Sequence, residues 1–431
     1  MKRLALLLSL LVPLSASAGL YYSEETFAEL PSRWRGYLLD QRVLRQVAAR
    51  PTADNPPSLL RQRYEQEVAR LSKLAGQRSL SADEAADLGA LLVRLGEPAR
   101  AVQVLLPMQR THPRHFRLLA NLGTAWQLQG DLAQAAAALE QAVRLAPGKY
   151  VPAEQLHLRL VRLRQRERPG GSRLDDLFGI RYIGPSGKYE PGLLDPAEAK
   201  KLPPAAIALV QQLGLWLPSD SRLLWQMGEL ANACGDVSTA AAILEGCISE
   251  FGLRDAMLAE HRKLLQAKAG ELANQKPDQA GKHEQHSLTF RPRSSRPLVS
   301  KFNLTNLPPI DPKGLNVLAW EVIGETTVDR KSRPTFPAYL RELDGKEVEM
   351  SGYMQPLADN TDLGVFMLVE HPVGCWYCEM PDLIGIVLVE LPEGKAGKYT
   401  RDRIKVRGRL LLNADDPETF FYTIRDAQQE Q

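Results

Sequence analysis

Residues 116–149 read FRLLANLGTAWQLQGDLAQAAAALEQAVRLAPGK, and this stretch decides the reading of the N-terminal part of the chain. Leu119, Leu122-Gly123, Trp126, Gly130, Ala135, Leu139, Ala142 and Pro147 fall at the spacing of two short helices folded back on each other. The preceding segment, 82–115, repeats the pattern at the same 34-residue period, with Leu88-Gly89, Leu92, Gly96, Ala101, Leu105 and Pro113 in the matching slots. A third copy starts at Ser221, with Leu224, Met227-Gly228, Ala231, Gly235, Ala240, Leu244 and Cys247. Small residues at 89, 123 and 228 let the first helix of each pair approach the second closely. Gly96, Gly130 and Gly235 end the first helix in a tight turn, and Pro113 and Pro147 end the second.

A further copy is split. Leu156, Leu160 and Leu163 fill first-helix slots within 150–165, and Ala206, Val210, Leu213 and Pro218 fill second-helix slots within 203–220. Between them lies an insertion, 166–202, which includes LDDLFGIRYIGPSGKYEPGLL (174–194). Its Gly and Pro content excludes a regular helix, and Leu174, Leu177, Phe178, Ile180, Tyr182 and Ile183 supply apolar anchors. It reads either as a binding or capping loop over the array or as a surface insertion that binds nothing.

Repeats 82–115, 116–149, split 150–165 plus 203–220, and 221–254 resemble the tetratricopeptide-repeat family. The resemblance implies a right-handed helical solenoid over 82–269 that serves as a scaffold for a protein or peptide. Residues 19–81 add flanking helices, since 38–49 and 59–75 carry helical apolar spacing, as in Leu59, Leu60, Tyr64, Val68, Leu71 and Leu74. Trp34 and the Tyr21-Tyr22 pair read as a cap on the first repeat or as a partner contact.

The N-terminus reads as a secretory signal peptide, residues 1–18. Lys2-Arg3 is its charged start, Leu4–Leu14 an apolar run too short to span a bilayer, and Ala16-Ser17-Ala18 a small-x-small site, so cleavage is expected before Gly19. No later stretch is long and apolar enough for a transmembrane segment, and export to the periplasm is the expected address. The 431-residue chain holds 54 Lys plus Arg against 51 Asp plus Glu, and loss of Lys2 and Arg3 leaves it near neutrality. That balance gives no electrostatic case for nucleic acid or an anionic membrane as partner. Four cysteines exclude a disulfide scaffold. Cys234 and Cys247 occupy positions 14 and 27 of one helix pair, too far apart to bridge, and read as small buried apolar residues. His112 with His115, and His283 with His286, read as solvated residues.

From 270 to 310 the chain turns polar and loses its period, which reads as a flexible linker. After it, 311–431 carries strand patterns at 346–353, 364–369, 384–391, 404–412 and 420–424. A curved five-strand meander with glycines at 352 and 408 suits a small OB-like β-barrel, so the fold class is multidomain α plus β. Tyr353, Phe366, Phe421 and Tyr422 read as core residues.

One loop of this domain carries chemistry: His371-Pro-Val-Gly-Cys375-Trp376-Tyr377-Cys378-Glu379-Met-Pro381-Asp382. Glu379 in place of a histidine rules out c-type haem attachment. Three readings remain: a Cys375–Cys378 disulfide, a Zn or Cu site built on Cys375, Cys378, His371 and Glu379, and a redox thiol pair. The strings LDGKEVEMSGYMQPL (343–357), FMLV (366–369) and IVLVEL (386–391), with this loop, resemble the bacterial exported family named domain of unknown function 3299. That family has no established activity. The resemblance implies a Cys-x-His core followed by prolines, where this chain has a second cysteine and a single following Pro381. The chain shows no phosphate loop, dinucleotide fingerprint or serine–base arrangement. The expected function is an exported interaction scaffold; the competing expectation is a thiol-redox or metal-dependent enzyme or metal-handling protein using the Cys375/Cys378 loop.

Overall fold

The computed structural model describes residues 20–23, 35–52, 57–167, 174, 176–273, 307–329, 333–357, 362–370, 383–416 and 419–430. Among them the N-terminal part is helical: α1 (Arg35–Ala48), α2 (Leu59–Gln77), α3 (Ala82–Arg94), α4 (Pro98–Thr111), α5 (Phe116–Gln129), α6 (Leu132–Leu145), α7 (Val151–Gln165), the one-turn α8 (Pro196–Ala199), α9 (Ala206–Trp216), α10 (Ser221–Ala233), α11 (Val237–Ser249) and α12 (Ala256–Ala273). No helix among the described residues is long and apolar enough to cross a membrane.

The turns follow from sequence. Gly130 and Gly235 take φ of 86° and 84°, a left-handed conformation that ends α5 and α10 cheaply only for glycine. The next residue, Asp131 or Asp236, then caps the following helix by accepting from Gln134 N or Thr239 N. At the start of α3, Ser81 and Glu84 form a reciprocal capping box. Helices α3 and α4, α5 and α6, and α10 and α11 pack as pairs. The small residue on the first helix sets how close they come. A Cβ added at Gly89, Gly123 or Gly228 would lie 2.5, 2.6 or 2.2 Å from the side chain of Leu105, Leu139 or Leu244 respectively.

Helix α7 packs on α9 as well as on α6, and the described residues between them hold no regular element longer than α8. The row of helices is not left open. Helix α1 packs against both α3 and α9, and Arg94 Nη1 on α3 donates to the carbonyl of Leu215 on α9 at 2.6 Å. Most buried apolar residues of the helical part form one core, from Leu20 to Leu265, and Ala135, Ala136, Leu139, Leu158 and Val161 of α6 and α7 form a second, smaller one.

Helix α12 continues through Ala273, past the expected boundary at 269, and Leu307 and Ile310 already pack on the β-domain core. The remaining linker, 274–306, lies outside the described residues.

The C-terminal strands are β1 (Asn316–Val317), β2 (Thr327–Val328), β3 (Pro334–Thr335), β4 (Glu347–Pro356), β5 (Asp362–Leu363), β6 (Val365–Val369), β7 (Ile386–Glu390), β8 (Gly397–Lys398), β9 (Arg403–Leu412) and β10 (Tyr422–Glu430). Strands β4, β6, β7, β10 and β9 close into a five-stranded barrel, because β9 pairs back onto β4. Strand β1 adds to its edge, parallel to β4. A simple meander is overturned. The last strand inserts between β7 and β9, parallel to β7 and antiparallel to β9. Two tight backbone approaches explain the strand glycines. A Cβ at Gly352 would meet the Val369 carbonyl oxygen at 2.7 Å, and one at Gly408 the Arg425 carbonyl oxygen at 2.7 Å. Phe366, Phe421 and Tyr422 are buried in the barrel core, while Tyr353 is half-buried and packs outside it with Met367, Val369 and Ile386.

Candidate functional site

The first helices of the pairs carry a polar residue at a fixed place. Asp87 on α3, Asn121 on α5 and Gln226 on α10 are each the sixth residue of their helix. Asp87 and Asn121 are also one 34-residue period apart. All three bond to non-helical segments of the same chain. Asn121 grips the backbone of Tyr21 from both sides, its Oδ1 accepting from Tyr21 N at 2.7 Å and its Nδ2 donating to the Tyr21 carbonyl at 3.3 Å. A second Asn121 Nδ2 bond, to the Ala86 carbonyl at 2.9 Å, fixes the amide against α3. Asp87 accepts from Ser23 N at 3.0 Å and from Ser23 Oγ at 2.6 Å. Gln226 accepts from Leu177 N at 3.2 Å and donates to Tyr182 Oη.

Leu20, Tyr21 and Tyr22 are therefore buried, which departs from a cap on the first repeat. They lie across the faces of α3, α5 and α7. The Tyr21 ring meets Phe116 edge-on at 4.7 Å and Tyr150 at 5.4 Å, and its hydroxyl donates to Glu154 Oε1 on α7 at 2.9 Å. Tyr22 packs edge-on to Tyr64 of α2 at 5.9 Å. Arg117 ties the segment down by donating to the Tyr21 carbonyl at 3.1 Å and to Asp87. Trp34 lies outside the described residues.

The electrostatics of this face are unusual for a helix surface. Glu154 is fully enclosed, and desolvation pushes its carboxyl up to about 7 despite the Tyr21 hydroxyl. Its Oε2 has no hydrogen-bond partner. His157, one turn on, bonds Gln127 through Nε2, and burial lowers it to about 3, helped by the charge of Arg164. Burial also raises Asp87, against the opposing pull of Ser23 and Arg117.

The insertion covers the face at α10. Besides the Gln226 bonds, Asn232 accepts from Gly192 N at 2.6 Å, Tyr182 packs edge-on to Trp225 at 5.8 Å, and Tyr189 stacks on His261 at 3.6 Å. His261 in turn bonds Glu229 at 2.7 Å. The loop is locked internally by Glu198, which takes Arg181 and Lys201, and by Asp176, which accepts from Gly179 N and Ile180 N.

Of the residues singled out in the β-domain, Cys375, Cys378, His371 and Glu379 all lie outside the described residues. In sequence they fall between β6 and β7, which pair at Val369 and Ile386. Among the described residues no group of three or more His, Cys, Asp or Glu is placed to hold a metal ion. Cys234 and Cys247 are not bonded to each other. Cys247 is buried against the Ser221 carbonyl as expected, but Cys234, at the end of α10, is exposed. His115 is not a bystander: it caps α5 by accepting from Leu118 N at 3.3 Å, and its Nε2 lies 3.2 Å from Asp83. Sequence reasoning missed Asp87, Arg117, Asn121, Glu154 and Gln226. For Asp87, Asn121 and Gln226 the available signal was a polar residue recurring at the sixth position of the first helix.

No protein-family model matches the chain, and no curated protein matches it. Among solved structures it is similar to "MamA RS-1 ArsTM double mutant", at 14% identity over 56% of this chain and 98% of that one, with a TM-score of 0.24. That likeness is too slight to bear on fold or function.

Proposed function

We infer that the helical part is a tetratricopeptide-type array that holds extended peptide segments across the face of its first helices, and that the protein is an exported, periplasmic interaction scaffold. The observation that carries this is Asn121, which bonds both the N–H and the C=O of one residue in a non-helical segment. Such a two-sided grip reads a backbone rather than a side chain, as a peptide site requires. The repeat of the same position at Asp87 and Gln226 supports one face built for this task. The 34-residue period and the Gly–Leu approaches support the tetratricopeptide reading, with α1 closing what would otherwise be an open solenoid.

The barrel's strand order, with a parallel pairing of β7 and β10, supports an OB-like β-domain. In this reading Cys375 and Cys378, in the 371–382 segment, form a disulfide or, with His371 and Glu379, hold Zn or Cu.

A crosslink tests the peptide-site reading. Ser23→Cys with Asp87→Cys places two thiols where a 2.6 Å hydrogen bond now joins the side chains, 64 residues apart in sequence. A short thiol-reactive crosslinker, a bis-maleimide that adds one cysteine sulfur at each end, is expected to join them within one chain, at a yield that falls on denaturation. Absence of that crosslink in folded protein would defeat the reading.

A further inference from the structure

The face of the first helices has no free stretch at the positions that grip backbone. Asp87 and Asn121 are taken by Ser23 and Tyr21, and Gln226 and Asn232 by Leu177, Tyr182 and Gly192. A scaffold that receives a partner on this face must release one of its own segments first. The two differ in how they are held. The insertion is anchored at both ends by helices, α7 before it and α9 after it. The segment 20–23 is followed in sequence by α1 after residues 24–34, and the expected cleavage before Gly19 puts its other end one residue from the mature terminus.

The fit of this segment is also incomplete. Tyr21 satisfies one oxygen of Glu154, while Oε2, fully enclosed, has no donor. The resident segment leaves that oxygen unpaired, so a segment that supplies a partner to it would bind more tightly. A structural plug under no demand to leave has no reason to retain that defect.

We propose that Leu20–Ser23 is an intramolecular ligand of the array, and that the face it covers receives an extended segment of another exported protein. That segment has the same chemistry: an apolar residue, two aromatics with a hydroxyl on the first, and a small hydroxyl residue that meets Asp87. This rests on the peptide-site reading above and adds the partner class and the competition. A short tether holds its segment at an effective concentration of roughly 1 mM. For a segment whose own Kd is about 10 µM, a competing peptide of equal affinity then binds about 100-fold more weakly to the intact chain than to an emptied face.

The test places a protease site within residues 24–34 of the full chain, cleaves it, and removes the released fragment by gel filtration. The probe is a fluorescent peptide of residues 19–26, Gly-Leu-Tyr-Tyr-Ser-Glu-Glu-Thr. The cleaved protein is expected to bind it saturably, about 100-fold more tightly than the uncleaved protein, and to lose at least about 10-fold of that affinity with Asn121→Ala. A scrambled peptide is expected not to bind. A second form, Tyr21→Ala with Tyr22→Ala in the uncut chain, is expected to bind the peptide while keeping its helical circular dichroism. Failure of folded, cleaved protein to take up the peptide would overturn the proposal, as would equal binding by cut and uncut protein. A concentration-dependent dimer abolished by the Tyr21/Tyr22 change would also overturn it, since the partner would then be a second copy. If the Ser23→Cys, Asp87→Cys protein crosslinks but the peptide is not taken up, the peptide-site reading stands and this inference falls.

Discussion

Glu154 and His157 sit one turn apart on α7, both without solvent contact, and they respond to pH in opposite senses. The Glu154 carboxyl is raised from 4.5 to about 7, so the folded chain holds a proton the unfolded chain releases. Its contribution to stability is full below about 4.5 and is lost as pH rises through about 7. His157 is lowered from 6.5 to about 3, so its contribution is present above 6.5 and is lost as pH falls through about 3. Between 4.5 and 6.5 the two slopes oppose and stability is nearly level with respect to this pair. Glu154→Gln removes one slope. Its stability is expected to rise with pH across that window by about 1.4 kcal/mol per unit, and its profile to diverge from wild type by about 3 kcal/mol in all. Thermal melts of both proteins from pH 4 to 8 check this; parallel profiles would show that Glu154 is not held as an enclosed acid. Neither residue was legible as special beforehand. A Glu in a helix is ordinarily a solvated residue, and only a segment arriving from 133 residues away encloses this one.

At the scale of elements, the helix pairs were legible because their spacing is steric. Gly123 stands where only a hydrogen fits over Leu139, and the same pair recurs at 89 with 105 and 228 with 244. Gly123→Ala is expected to destabilise the array by about 1–3 kcal/mol through overpacking, and Leu139→Ala in the same chain is expected to recover part of that loss. A denaturant double-mutant cycle reads the coupling; additive losses would show that the two helices do not meet there. The barrel was legible in its strands but not in their order. Alternation of apolar residues in β4, as in Val348, Met350 and Met354, marks a buried face without saying which strand lies beside it. The parallel placement of β10 against β7 is set by long-range pairing, so a local pattern suggests a meander instead. Gly270 and the polar residues near it suggested the end of regular structure, yet α12 carries through them to Ala273.

For the molecule as a whole, the repeat pattern led to the expectation of a helical solenoid, and the structure adds contacts that lie outside the repeats. Helix α1 spans α3 and α9, Arg94 reaches Leu215, and Leu20 to Tyr22 are buried between the helices. None of these has a period, so none could be read from repeats. The Tyr21-Tyr22 pair was visible as a pair of aromatics near an expected mature terminus, but its partners are spread over α2, α5 and α7. The central claim is that this segment is the resident ligand of the array, and hydrogen exchange at its backbone tests it most directly. In wild-type full chain the Tyr21 and Ser23 amides, which donate to Asn121 and Asp87, are expected to be strongly protected. In Asn121→Ala the Tyr21 amide is expected to exchange at least about 10-fold faster, while the amides inside α3 and α5 keep their protection. A Tyr21 amide that exchanges at the free-peptide rate in the wild-type protein would contradict the account.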